Sequence, residues 1–74
     1  MTDITLYTTT GCPLCERYRK LLDQKQLSFT ERNTTENPKY LDELASKQIY
    51  TVPTIFVGTN VIEGFRPNSL LEII

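Results

Sequence analysis

Cys12 and Cys15 are the only thiols in the chain, and no histidine accompanies them. Their Cys-x-x-Cys spacing lies within Thr10-Gly11-Cys12-Pro13-Leu14-Cys15. If a helix begins there, both side chains share one face. Two sulfurs so placed approach bonding distance with little backbone movement, as disulfide geometry requires. The chemistry this supports is a reversible dithiol/disulfide couple. A structural staple is the competing use, but stabilisation by cross-linking grows with loop length, and this loop constrains the unfolded chain very little. Without histidine there is no Ser-His or Cys-His nucleophile pair and no Cys₂His₂ zinc site. Two cysteines cannot complete a four-thiolate site within one chain. A metal or iron–sulfur centre would need a second subunit or an outside thiol.

The elements that must position the thiols can be read in order. Ile4 and Leu6 alternate with Thr5 and Tyr7, which predicts a short strand. Thr8-Thr9-Thr10-Gly11 forms a turn, and Cys12 opens a helix with Pro13 in the first turn, where a missing N–H costs nothing. Leu14, Tyr18, Leu21 and Leu22 recur at helical spacing, Cys15 joins their broad face, and the helix ends near Gln24 to Gln26. Leu27 and Phe29 alternate with Ser28 and Thr30 as a second strand, followed by a polar loop from Arg32 to Glu36. Asn37 and Pro38 start a second helix as N-cap and first residue, with Leu41, Leu44 and Ala45 as its apolar stripe and an end near Lys47.

Ile49 to Thr51 then leads through Val52-Pro53 into a strand over Thr54-Ile55-Phe56-Val57. Gly58-Thr59-Asn60 turns the chain into a returning strand over Val61-Ile62-Glu63. After Gly64-Phe65-Arg66, Pro67 opens a last helix carrying Leu70, Leu71 and Ile74. The order is β-α-β-α-β-β-α, an α/β chain expected to form one domain over residues 1–74. Strand, helix, strand implies a parallel pair with a right-handed crossover, which sets the first helix's N-terminus at an exposed strand end.

Composition narrows the partners. Eight basic and nine acidic residues give a net charge of −1, with no general attraction to nucleic acid. No apolar run is long enough for a membrane span. The stretch from Met1 to Tyr7 lacks the basic region and apolar core of a signal peptide. The expectation is a cytoplasmic monomer, in a compartment where disulfides are transient and catalytic. The charges Arg17, Arg19 and Lys20 read as a solvated helix face, and Tyr7, Phe56 and Phe65 as packing residues.

Cys-Pro-Leu-Cys between strand and helix, Thr51-Val52-Pro53 before a hairpin, and Gly64 after it resemble the glutaredoxin branch of the thioredoxin fold. The resemblance covers essentially the whole chain. It implies a four-stranded mixed sheet in the order 2-1-3-4 with three helices around it. By the same resemblance Cys12 matches the exposed nucleophile and Cys15 the resolving cysteine. Pro53 matches a cis-proline beside the disulfide, and Val52 offers its backbone to an extended substrate. Pro13, Leu14, Thr51, Gly64, Phe65 and Arg66 complete the implied groove. Helix N–H groups at Cys12 favour a thiolate there.

The departures bear on the electron donor. Glutathione-using members typically carry a basic residue where this chain has Thr9, and Tyr where it has Leu14. They follow the hairpin with Gly-Gly and an acidic residue, where this chain has Gly64-Phe65-Arg66-Pro67. That turn resembles redoxins of the NrdH type, which are reduced by thioredoxin reductase and NADPH. Cys-Pro-Leu-Cys itself is closer to the glutathione-dependent version. No bound cofactor is implied beyond the redox-active disulfide. The implied partners are a disulfide-bearing protein, with ribonucleotide reductase as the family's example, and thioredoxin reductase or glutathione. A reading from a different class is a dimer sharing an iron–sulfur cluster through Cys12 and glutathione. Members that do this generally favour one active cysteine and a less rigid motif, and Pro13 argues against it.

Overall fold

The alternation at the start of the chain produces β1 (Ile4–Thr8), which turns Ile4 and Leu6 to one face of a sheet and Tyr7 to the other. The computed structural model describes residues 3–74, so Met1 and Thr2, the first two residues of the stretch read above against a signal peptide, lie outside the described residues. The remaining elements are α1 (Pro13–Gln24), β2 (Thr30–Asn33), α2 (Lys39–Ala45), β3 (Thr54–Val57), β4 (Asn60–Glu63) and α3 (Pro67–Ile73). The sheet order is β2-β1-β3-β4. β1 runs parallel to β2 and antiparallel to β3, and β3 pairs antiparallel with β4 across the hairpin. This is the expected mixed sheet with three helices.

Each sheet face has its own core. Ile4, Leu6, Ile55, Val57 and Ile62 meet Tyr18 and Leu22 of α1 and Leu70 of α3 on one face. On the other, Tyr7 packs with Leu44 of α2, Ile49 and the partly buried Tyr40, Val52 and Phe56. Burial of such side chains is worth about 1.5–3 kcal/mol each. The expected apolar stripes are narrower than their sequences suggested. Leu14, Leu41, Leu71 and Ile74 are 41–50 % exposed, because these helices cover a small sheet and present little more than one turn-face to it.

The second strand needs correction. It lies at Thr30–Asn33, not at Leu27–Thr30; Arg32 and Asn33 of the stretch assigned to a loop are strand, and Thr34 to Glu36 form a turn. After α1 the chain reverses at Gln26, whose φ is +57°, and the Leu27 N–H donates to the Leu22 carbonyl. Leu27 and Phe29 thus reach the core from a connector. Thr30 to Asn33 pair with Thr5 to Thr8. Because β2 has a neighbour on one side only, its side chains face water more than core, and polar residues suffice there.

Polar contacts fasten β2 to its surroundings. Glu31 accepts from the Thr8 hydroxyl at 2.9 Å and lies 3.0 Å from Arg19 Nε, an ion pair whose angle makes no hydrogen bond. Arg19 is therefore engaged and does not simply face solvent. Arg32 donates to Tyr7 Oη at 2.9 Å and to Glu43 at 2.7 Å, while Tyr7 donates to the same Glu43 oxygen at 2.8 Å. Burial first, and then the bond to Glu43, raise the Tyr7 hydroxyl above the ordinary tyrosine value; the Arg32 charge acts against them. Asn37 caps α2 through its side chain, accepting from the Lys39 N–H at 3.2 Å, and Pro38 already has helical dihedrals.

Candidate active site

Cys12 and Cys15 stand where β1 gives way to α1. Cys12 has extended dihedrals and caps the helix with its sulfur, which accepts the Cys15 N–H at 3.1 Å. Sulfur here fills the place a hydroxyl or carboxylate oxygen usually takes at an N-cap. The same N–H, together with the helix's positive end, stabilises negative charge on Cys12 Sγ once it is reduced. Cys12 is bonded to Cys15, with the two Cα atoms 5.3 Å apart. The two sulfurs have unequal surroundings: Cys15 is fully buried, whereas Cys12 is partly exposed. Pro13 and Leu14 between them face solvent.

The loop that delivers Cys12 is held from behind. The Thr8 carbonyl accepts both the N–H and the hydroxyl of Thr34, at 2.7 and 2.8 Å. Thr9 Oγ1 lies 2.7 Å from Thr35 Oγ1, and the Thr10 N–H donates to that same oxygen at 3.1 Å. Asn33 in turn fixes this segment by accepting the Thr35 and Glu36 N–H groups at 2.8 and 3.1 Å. Gly11 then takes a φ of +74°, a conformation open to glycine and costly for other residues. Thr9 is thus tied into the fold.

Val52-Pro53 is a cis peptide. Tyr7 pairs with Thr54, so continuing that register sets Pro53 beside Thr8, where the dithiol loop departs. Pro53 is buried, Val52 partly so, and Thr51 exposed. The Gly64 N–H donates to the Pro53 carbonyl at 2.8 Å, which brings the turn after the hairpin to the same place. Gly64 has a φ of +79° with open space where a Cβ would stand, so backbone conformation alone asks for glycine here. Phe65 is partly buried, and Arg66 projects to solvent.

One residue of this constellation was not singled out from the sequence. Tyr18, read only as part of the apolar face of α1, is fully buried, yet its hydroxyl donates to the Gly64 carbonyl at 2.6 Å and accepts the Arg66 N–H at 2.9 Å. Its ring meets Phe65 edge-on, with centroids 4.8 Å apart. Burial raises the Tyr18 hydroxyl above the ordinary tyrosine value, partly offset by the Arg66 N–H. The available signal was a tyrosine one helical turn after Cys15, since buried tyrosines usually find a partner for the hydroxyl. Its identity needed the fold.

No group of three or more His, Cys, Asp or Glu side chains that could hold a metal occurs among the described residues. No helix among them is long and apolar enough to cross a membrane.

Comparison with known proteins agrees with this geometry. The glutaredoxin family model matches residues 4–62. A glutaredoxin of Pseudomonas aeruginosa is 37 % identical over 73 residues, covering 97 % of this chain and 87 % of its own. The glutaredoxin-like protein NrdH of Lactococcus lactis subsp. cremoris is 26 % identical over 70 residues, covering 95 % and 97 %. Among solved structures, NrdH-redoxin from Escherichia coli superposes with a TM-score of 0.88 at 22 % identity, covering 97 % of this chain and 95 % of its own. The family match spans β1 to β4 and includes both cysteines and the cis-proline. The chain therefore belongs to the glutaredoxin family, and is a thiol–disulfide oxidoreductase of the thioredoxin fold with NrdH-like features.

Proposed function

We propose that the chain reduces protein disulfides by a two-step exchange and is itself recharged by thioredoxin reductase with NADPH. In the first step the Cys12 thiolate attacks one sulfur of a substrate disulfide. A Cys12–substrate disulfide forms, and the other substrate sulfur leaves as a thiolate that takes a proton from water. Cys15, as thiolate, then attacks Cys12 Sγ, the mixed disulfide breaks, and the second substrate thiol is released. Two electrons and two protons pass from the dithiol to the substrate, leaving Cys12–Cys15 oxidised. The partly exposed Cys12 can be reached by another molecule, whereas the buried Cys15 can meet only its neighbour.

The substrate backbone lies along Thr51-Val52-Pro53, with Pro13, Leu14, Gly64, Phe65 and Arg66 as the surrounding walls. Pro53 has no N–H to direct at the sulfurs, and exposed Thr51 and partly buried Val52 leave main-chain groups within reach of an extended peptide.

The observation that carries the choice of reductant is the state of the positions where glutathione-using relatives carry a basic and an acidic contact. Thr9 replaces the basic residue and its side chain is engaged with Thr35. Gly64-Phe65-Arg66 ends in an exposed cation where an acid would meet the glutathione amine. Glutathione as donor is the second reading, favoured by Cys-Pro-Leu-Cys and by the resemblance to the Pseudomonas protein. The test supplies the oxidised protein with thioredoxin reductase and NADPH, or with glutathione, glutathione reductase and NADPH, and follows NADPH oxidation. Faster turnover in the first arm supports the proposal, and turnover confined to the second overturns it.

A further inference from the structure

We propose that the Tyr18 hydroxyl is a positioning group, locking the Gly64–Arg66 turn onto the helix that carries the dithiol and so setting the groove's width for a polypeptide substrate. This rests on the groove reading above. Tyr18 lies one helical turn beyond Cys15 on the same face of α1. Its hydroxyl uses both of its capacities on one three-residue turn, donating to the Gly64 carbonyl at 2.6 Å and accepting the Arg66 N–H at 2.9 Å. The Gly64 N–H continues the path to the Pro53 carbonyl at 2.8 Å. A single phenol thus joins α1, the turn and the cis-proline segment. All contacts of the turn in this path run through main-chain atoms, so the hydroxyl governs where the turn sits and leaves its side chains free.

Packing alone would not ask for a hydroxyl. The edge-to-face contact with Phe65 and the core contacts with β1 and β3 need only the ring. A phenylalanine would keep them and leave the Gly64 carbonyl and the Arg66 N–H without their common partner. Both would turn to water, and only the ring contact with Phe65 would still tie the turn to α1.

The test compares reduced wild-type and Tyr18→Phe protein in single-turnover reduction of two disulfides. Insulin supplies an extended polypeptide, and 5,5′-dithiobis(2-nitrobenzoate) supplies a small disulfide that hardly enters a groove. The expected result is a fall of about two- to ten-fold in the insulin-to-small-disulfide rate ratio, the span of one net hydrogen bond. It should appear as a higher half-saturating insulin concentration with little change in the limiting rate. The Arg66 amide should also exchange with deuterium faster in the variant. An unchanged ratio, an equal fall with both disulfides, or an Arg66 amide as protected as in the wild type overturns the proposal. So does a variant that does not fold, since positioning leaves ring packing intact. Arg66→Ser separates the two levels of argument. If it lowers the ratio while Tyr18→Phe does not, only the positioning role fails; if neither moves it, the groove reading fails as well.

Discussion

Replacing Gly64 by alanine tests whether the turn beside the dithiol is shaped by backbone conformation or by space. An added Cβ meets no atom within 4 Å, so the substitution introduces no clash. What remains is the φ of +79°, which costs an L-residue about 1–2 kcal/mol. The chain could escape by rotating residue 64 to negative φ. It would then lose the bond to the Pro53 carbonyl and the pair of bonds that Tyr18 makes to residues 64 and 66. Each is worth about 0.5–1.5 kcal/mol net. Together they match or exceed the strain, so the turn should keep its shape and the strain should appear as lost stability. For a domain of this size, a loss of about 1 kcal/mol lowers Tm by about 4–8 °C. Circular dichroism melts of the oxidised protein measure it. An unchanged Tm would refute the reasoning by showing that residue 64 relaxes without loss. A variant already unfolded at room temperature would refute it from the other side, by revealing an obstacle to the Cβ that the structure does not contain.

Cys15→Ser should accumulate mixed disulfides between Cys12 and a protein substrate, visible by mass spectrometry under non-reducing conditions, whereas Cys12→Ser should neither form them nor turn over. Leu22→Ala, at a site with no exposure in the larger core cluster, should cost about 2–5 kcal/mol in chemical denaturation, a large share of what a domain this small possesses. The raised hydroxyls of Tyr7 and Tyr18 predict an alkaline effect of definite sign. Below pH ~10 both are protonated folded or unfolded, and they contribute no slope. Above it the unfolded tyrosines lose protons first, the native state binds more, and stability falls as pH rises. Melts between about pH 9 and 11 should show a shallower decline in Tyr18→Phe than in the wild type.

Much of the fold was readable because its signals are local. Alternation at Ile4–Tyr7, Pro13 after Cys12 and a turn at Gly58-Thr59 each follow from neighbours a few residues apart, although Asn60, expected in that turn, already pairs with Val57 as the first residue of β4. The strand Thr30-Glu31-Arg32-Asn33 carries no such signal. Its pairing partner is β1, and its polarity reflects a position at the sheet margin that periodicity does not encode. Leu27 and Phe29 misled because apolar alternation marks access to a core, which a connector can also have. The site was legible as far as residue types were diagnostic: two cysteines at a helix start, and a proline before a hairpin. Tyr18 and Thr35 were not, since a tyrosine among leucines and a threonine in a polar run acquire their roles only from what tertiary structure sets opposite them.

The position of β2 carries a consequence for behaviour at high concentration. A four-stranded open sheet exposes two rows of unpaired peptide groups, here along β2 and β4, and either could recruit a strand from another molecule. β4 is four residues long, which offers little to pair with, though Val61 on it is 46 % exposed. β2 is equally short and displays Glu31 and Arg32, whose charges would have to be matched or stripped of water by any incoming strand. The same side chains are held by Arg19, Tyr7 and Glu43 and cannot easily swing aside. Their value thus extends past the folded chain itself: they make the margin of the sheet a poor template for assembly, and neutralising both should be felt first as aggregation.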